Sequence, residues 1–271
     1  MKVNQVIFYL QDQLTEEQLC FFEENGFLQF RSFISKEKVQ EVLEDIQRVQ
    51  AYVLSNGITR VRGVPLKFGM DVDGKPLLQR MAFTSLFSPV VASILADKRL
   101  EALFILLNRD LEDCRIGELE KDGAVFNHYV NCEKSGYSRL GWHTDALRDV
   151  FYFKKLMPML NVGLHFDDYP ASRGGLRLIP GSHNQSTWDT LFRKKYFISH
   201  DPDPDEVGLD IQAGDLTVHD GRLWHRVERS SVAGEESRRR VMYIPFVTGK
   251  YKPRKENARP KLYQYLYKFV K

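Results

Sequence analysis

The sequence is poor in several things, and each shortage narrows what the chain can be. Cysteine occurs three times in 271 residues, as Cys20, Cys114 and Cys132. An odd count at wide spacing with no paired motif argues against a disulfide scaffold and fits a reducing compartment. No apolar run approaches the roughly 20 residues needed to cross a bilayer. The run near the N-terminus, Val6 to Leu10, is too short for the core of a signal peptide. The C-terminal Phe269-Val270-Lys271 is not a peroxisomal address, so the expected location is the cytoplasm. Charge of one sign is scarce too: 39 basic against 36 acidic residues leave +3. These charges spread along most of the chain, so a clustered basic face for nucleic acid is not expected. No internal repeat, low-complexity tract or Pro/Gly-rich linker divides the sequence.

What the chain does have is core material. Its hydrophobic fraction of 43% and aromatic content of 12% exceed those of a disordered chain. All-β barrels of this length often form one domain, and a single domain over 1–271 is expected. Within it, residues 1–121 read as mostly helical, 122–250 as an all-β core and 251–271 as an extension. Thr15 with Gln18 makes a capping box, and Gly26 supplies the stop. Ser35 caps a second helix to about Ser55, with Val39, Val42, Leu43, Ile46 and Val49 on one face. From Leu77 to Leu107 the apolar residues recur at helical spacing, interrupted by Pro89. After residue 122, short apolar runs are punctuated by Gly, Asp, Asn and Pro. They are Ala124–Val130, Leu160–Phe166, Leu176–Ile179, Leu209–Ile211, Leu216–Val218 and Val241–Val247. Such runs suggest an antiparallel sandwich or barrel, and the polar stretch from Asn184 to Gly208 suggests a loop or lid.

Two imidazoles and one carboxylate on one face of a metal make a non-haem iron site with open positions. His-x-Asp on a strand supplies two of them, because residues i and i+2 point the same way. The motif occurs twice, as His143-Thr144-Asp145 and His165-Phe166-Asp167. His225 and His219 are the candidates for the third ligand.

The motifs in order resemble the phytanoyl-CoA dioxygenase family of Fe(II)/2-oxoglutarate oxygenases. The resemblance runs through Leu14-Thr15-Glu16, Glu23-Glu24-Asn25-Gly26-Phe27 and Gly141-Trp142-His143-Thr144-Asp145. It continues through Gly174 to His183 (GGLRLIPGSH), Ala213-Gly214-Asp215-Leu216 and Arg222-Leu223-Trp224-His225. It implies a double-stranded β-helix (jelly-roll) core with helices packed on one side. It also implies iron held by His143, Asp145 and His225, with 2-oxoglutarate and O2 as co-substrates. The resemblance does not make His165 a ligand and leaves a pocket-facing role, near substrate or co-substrate, as its secondary reading. His183 would hold a turn, and His128, His200 and His219 would be satisfied or exposed.

A dicarboxylate co-substrate needs a bidentate cation, which favours arginine over lysine. The family carries that arginine on the strand after the distal histidine. Arg239 fits best among Arg238-Arg239-Arg240, and strand alternation would turn its neighbours away. Lys67 and Asn127 match further co-substrate contacts. Val227 departs from the family, which often has a small hydroxyl residue there. The resemblance implies oxidation of a C–H bond in a small-molecule substrate, with succinate and CO2 released. Because Asp145 is present, hydroxylation or another two-electron oxidation is expected, not halogenation. A non-catalytic jelly-roll binding protein and a cupin-type enzyme without oxoglutarate are the alternatives. The basic stretch Lys250 to Lys255 reads as a solvated tail that could also meet CoA phosphates.

Overall fold

The computed structural model describes residues 6–108, 110–146, 157–249 and 251–260. The first helix, α1 (Glu16–Asn25), starts at the Thr15–Gln18 capping box and ends on Gly26 at φ +79°, as the sequence predicts. It leads straight into β1 (Phe27–Phe30), buried at all four positions. Helix α2 (Lys36–Ser55) is capped by Ser35 and buries Val39, Val42, Leu43, Ile46, Val49 and Val53.

The next segment departs from expectation. A small hairpin, β2 (Arg60–Val61) and β3 (Val64–Pro65), precedes β4 (Lys67–Met70) and β5 (Pro76–Met81). Leu77 to Met81 is thus a strand, where the apolar spacing predicted helix. Leu77, Leu78, Gln79 and Met81 are all buried. A strand covered on both faces loses the alternation that would reveal it. Helix appears only after Ser88, as α3 (Pro89–Leu95), followed by 3-10 turns over Lys98–Leu107.

Then come β6 (Cys114–Ile116), β7 (Val125–Asn131), β8 (Leu140–His143), β9 (Met159–His165) and β10 (Gly175–Leu178). A short helix, α4 (Thr187–Phe192), sits inside the expected loop. The chain continues with β11 (Val207–Gly208), β12 (Leu216–Asp220), β13 (His225–Glu228) and the long β14 (Gly234–Thr248). The predicted strand at Leu209–Ile211 reduces to a single bridge between Ile211 and Tyr169.

The strands form a large antiparallel sheet in the order β1-β12-β9-β14-β7-β5-β4, with β6 also on β14, and a small sheet in the order β11-β10-β13-β8. Two such sheets closing on each other make the expected double-stranded β-helix core. One face of the large sheet carries Leu160, Val162, Leu164, Leu216, Val218, Met242, Ile244 and Phe246. These pack with α1, α2 and α3 residues in one apolar cluster. Alternation therefore turns Asn161, Gly163, His165, Thr217, His219, Arg239, Val241 and Tyr243 to the other face, toward the barrel interior. The polar residues of the strands are concentrated there. Among the described residues no helix is long and apolar enough to cross a membrane, and Cys20, Cys114 and Cys132 form no disulfide.

Candidate metal centre and the arginine floor

His143 and His225 are direct cross-strand partners on β8 and β13, with ring centroids 4.1 Å apart. Strand β8 ends at His143. Asp145 is brought into reach by the following turn, not by the pleat, and Ala146 N–H donates to the Gly221 carbonyl at 2.8 Å to hold that turn. One ligand atom each from His143, Asp145 and His225 lies within 4.8 Å of the others, and all three residues are buried.

The chemistry of this donor set fits a divalent metal. Nδ1–H of His143 donates to the Gly141 carbonyl at 2.8 Å, and Nδ1–H of His225 donates to Leu223 at 3.0 Å. Each bond selects the tautomer whose Nε2 carries the lone pair a metal needs. Burial first, then the neighbouring His143 and His219, push the His225 pKa well below its ordinary value, so its imidazole stays neutral. Asp145 Oδ2 accepts from Asn161 Nδ2 at 2.7 Å and stands 3.7 Å from His225 Nε2.

One wall of the site comes from the segment after α4. Phe197 stacks on the His143 ring at 5.0 Å, and Tyr196 shares a 2.7 Å hydrogen bond with Thr144. Phe197 N–H donates to Trp142 O and Trp142 N–H to Ser199 O, both at 2.9 Å, so this stretch lies alongside β8. A Cβ on Gly141 would come within 2.5 Å of Phe197 O. Glycine there is what admits the wall.

The three consecutive arginines have three fates. Arg238 pairs with Asp71 and Glu235, and it donates to His128 Nε2 at 2.6 Å. Arg240 makes a multidentate pair with Asp167. Arg239 points inside and is 5% exposed. Its guanidinium lies 4.3 Å from the Tyr129 ring centroid, and Nη2 is buried without a hydrogen-bond partner. Among the described residues no carboxylate pairs with it. A buried guanidinium whose donors are not all used is suited to a carboxylate from a ligand.

Asn127 is buried on β7, opposite Val241 and two residues from Tyr129. It shares the inner face, and its Nδ2 donates to Val125 O. Lys67 is half-buried, with Nζ 4.6 Å from the Tyr137 ring centroid. Burial and the charge of Arg80 lower its pKa to about 8. Tyr137 stacks on Tyr129, centroids 4.4 Å apart, so two tyrosines connect Lys67 to Arg239. The structure thus puts His143, Asp145 and His225 together. Arg239 and Asn127 lie on the inward face of the large sheet, and Lys67 stands beside Tyr137.

His165 lines the interior as well, with Nε2 2.9 Å from Thr217 Oγ1. His183 holds a turn against the Glu23 carbonyl, and His128 is satisfied by Arg238. His219 is the exception to expectation. It is 1% exposed, its Nε2 is 3.5 Å from Asp145 Oδ2, and neither ring nitrogen has a hydrogen-bond partner. Asn161, Thr217 and Tyr196 were also missed. Alternation from Leu216 and Val218, both core-facing, would have placed Thr217 and His219 inside.

Comparison with known proteins places the chain in a family and a fold. A family model described as phytanoyl-CoA dioxygenase matches residues 22–239. A probable alpha-ketoglutarate-dependent hypophosphite dioxygenase of Stutzerimonas stutzeri is 23% identical over 221 residues, covering 77% of this chain and 71% of the relative. The non-heme alpha ketoglutarate-dependent epimerase SnoN from nogalamycin biosynthesis superposes with TM-score 0.64 at 18% identity, over 92% of this chain and 87% of its own. HygX from Streptomyces hygroscopicus, with nickel and 2-oxoglutarate bound, gives 0.61 at 18% identity, over 89% of each chain. At these identities the two structures speak for the fold.

Proposed function

The chain belongs to the phytanoyl-CoA dioxygenase family, and on that premise we propose that His143, Asp145 and His225 hold its iron and Arg239 anchors its 2-oxoglutarate. It acts as a single oxygenase domain that oxidises a C–H bond of a small molecule, by hydroxylation or another two-electron route. The observation that carries this reading is the buried cluster of two tautomer-locked imidazoles and a carboxylate. When bound, the iron and the co-substrate supply the oxidising power, with 2-oxoglutarate and O2 converted to succinate and CO2.

The chain's own residues do the rest by placement. The Gly141 and Leu223 carbonyls keep each Nδ1 protonated, so both Nε2 atoms are available as donors. Asn161 restrains the Asp145 carboxylate, which supplies one negative charge against a dication. Asp145 also fills the ligand position that a halogenating relative of the fold would leave for chloride. Arg239, whose buried Nη2 has no hydrogen-bond partner, would hold a carboxylate of the co-substrate, where low dielectric strengthens a charge-assisted bond. Asn127 and Lys67 belong to the same co-substrate pocket in this reading, with Lys67 facing it across Tyr137. Phe197 and Tyr196 cover the His143 side and exclude water there.

The test is succinate release from 2-oxoglutarate by the purified protein, with and without added Fe(II), across a panel of small-molecule substrates. Fe(II)-dependent succinate is expected, stimulated by the true substrate. A protein that binds 2-oxoglutarate without ever releasing succinate would be a binding module, and the oxygenase reading would be wrong.

A further inference from the structure

His219 is the one described buried histidine with a pocket position and no hydrogen bond of its own. His143, His225, His165, His128 and His183 each hold at least one partner through a ring nitrogen. Burying a polar group without a partner is costly, so a bare imidazole in the interior needs a reason. Its surroundings supply one. His219 on β12 is the register partner of Asn161 on β9, and both side chains turn inward. Side chains paired in this way on one face stand close enough to reach a common target. That target is Asp145 Oδ2, which accepts from Asn161 Nδ2 at 2.7 Å and lies 3.5 Å from His219 Nε2.

We propose that Asn161 and His219 form a cross-strand clamp, two N–H donors that fix the orientation of the Asp145 carboxylate through Oδ2. The inference rests on the reading of His143, Asp145 and His225 as the metal ligands. His219 is a positioning residue in it, since the mutually close ligand set comprises the other three residues. A carboxylate oxygen accommodates two donors. Shortening 3.5 Å to a normal hydrogen bond of about 2.9 Å takes only a small turn of the ring. A carboxylate turns readily about its terminal torsion, which is soft, and two donors from adjacent strands of the large sheet resist that turn. Clamping matters here because Asp145 sits in a turn beyond the end of β8, where the small sheet no longer restrains it.

The experiment is an anaerobic Co(II) titration of metal-stripped protein, read by its ligand-field absorption, on wild type, His219→Phe, His219→Gln, Asn161→Leu and His225→Ala. Loss of a hydrogen-bond partner to a metal ligand typically lowers metal affinity 10- to 100-fold. A loss of about that size is expected for His219→Phe and for Asn161→Leu, with a shifted absorption spectrum. His219→Gln, which keeps an N–H donor, should stay within a few-fold of wild type. Wild-type affinity and spectrum in His219→Phe would overturn the clamp, as would equal losses in the Phe and Gln variants. If His219→Phe does not fold, Asn161→Leu decides alone. The His225→Ala arm separates the two readings: binding lost there but intact in the clamp variants sinks only the clamp. Binding retained in His225→Ala would remove the ligand assignment beneath it.

Discussion

The two His-x-Asp tripeptides lie on opposite sheets of the barrel and have come to opposite uses. In the first, the strand stops at His143, and the turn that follows brings Asp145 back beside His143 and His225. In the second, β9 runs to His165, and Phe166 N–H donates to Arg240 O. His165 faces in toward Thr217, while Asp167 takes the Arg240 guanidinium. The same spacing therefore gives a convergent pair in one place and a divergent pair in the other. What differs is where the strand ends and which partners compete for the side chains. Asp145 accepts from the Asn161 amide and lies beside two imidazoles, whereas Asp167 is engaged by the Arg240 guanidinium. A carboxylate already held by arginine has little left to offer a metal.

The sharpest way to break this comparison is to delete imidazoles from each motif. His143→Ala and His225→Ala are expected to lose stoichiometric Fe(II) in elemental analysis and to drop succinate release to background. His165→Ala should keep its iron. Iron lost from His165→Ala and retained in His143→Ala would exchange the roles of the two motifs.

The next effect belongs to the arginines. Arg239→Ala should raise KM for 2-oxoglutarate roughly 30- to several-thousand-fold, because removing one partner of a desolvated charge pair costs about 2–5 kcal/mol. Arg238→Ala and Arg240→Ala, whose pairs with Asp71 and Asp167 are partly exposed, should change it less than about fivefold. Steady-state kinetics in 2-oxoglutarate ranks the three. A dominant effect at Arg240 would mean the inward face of β14 has been read one residue out of register.

Acid stability separates the histidines in another way. Burial, followed by the charges of Arg239 and His219, lowers the His165 pKa to about 3. Burial with Arg238 and Arg240 does the same for His128. Below the ordinary histidine value of 6.5 the unfolded chain takes up protons that the folded one refuses. Stability from these groups is complete above pH 6.5 and is lost as pH falls toward about 3. The slope is about 1.4 kcal/mol per pH unit for each such histidine. Chemical denaturation of metal-free protein between pH 6.5 and 4 should show it, and His165→Asn should flatten it by about one histidine's worth. An unchanged slope would mean that His165 titrates normally.

The smallest expected effect is at Asp167→Asn. Breaking a partly exposed ion pair costs about 1 kcal/mol or less, seen as a melting temperature lowered by a few degrees with iron content unchanged. A loss of iron there would erase the difference between the two tripeptides.

Much of the architecture is written locally. The Thr15 and Ser35 caps, Gly26 at positive φ and the apolar stripe of α2 act within a few residues, so they are readable without neighbours. Strands β7, β9, β12 and β14 show their apolar runs because one face of each packs on the helices. Strand β5 hides, since both its faces are buried and Gln79 is satisfied far away by Ser135 Oγ and Gly136 N–H. Its apolar residues then fall at spacings that imitate a helix. Strand β1 hides for the same reason, buried at all four positions.

At the site the division follows range. The residues that a ligand set needs, His143, Asp145 and His225 with an arginine downstream, stand in the sequence in a recognisable order, because each chemical role demands a particular side chain. Which arginine turns inward came from the family pattern around Arg239, since alternation along β14 alone leaves the choice among the three open. The neighbours of those residues did not follow. That Asn161 and His219 meet at Asp145, that Phe197 covers His143 through a glycine at 141, and that Asp167 is taken by Arg240 are contacts between segments far apart in the chain. Each depends on strand register and on the closure of the two sheets, which long-range packing decides and local sequence does not encode.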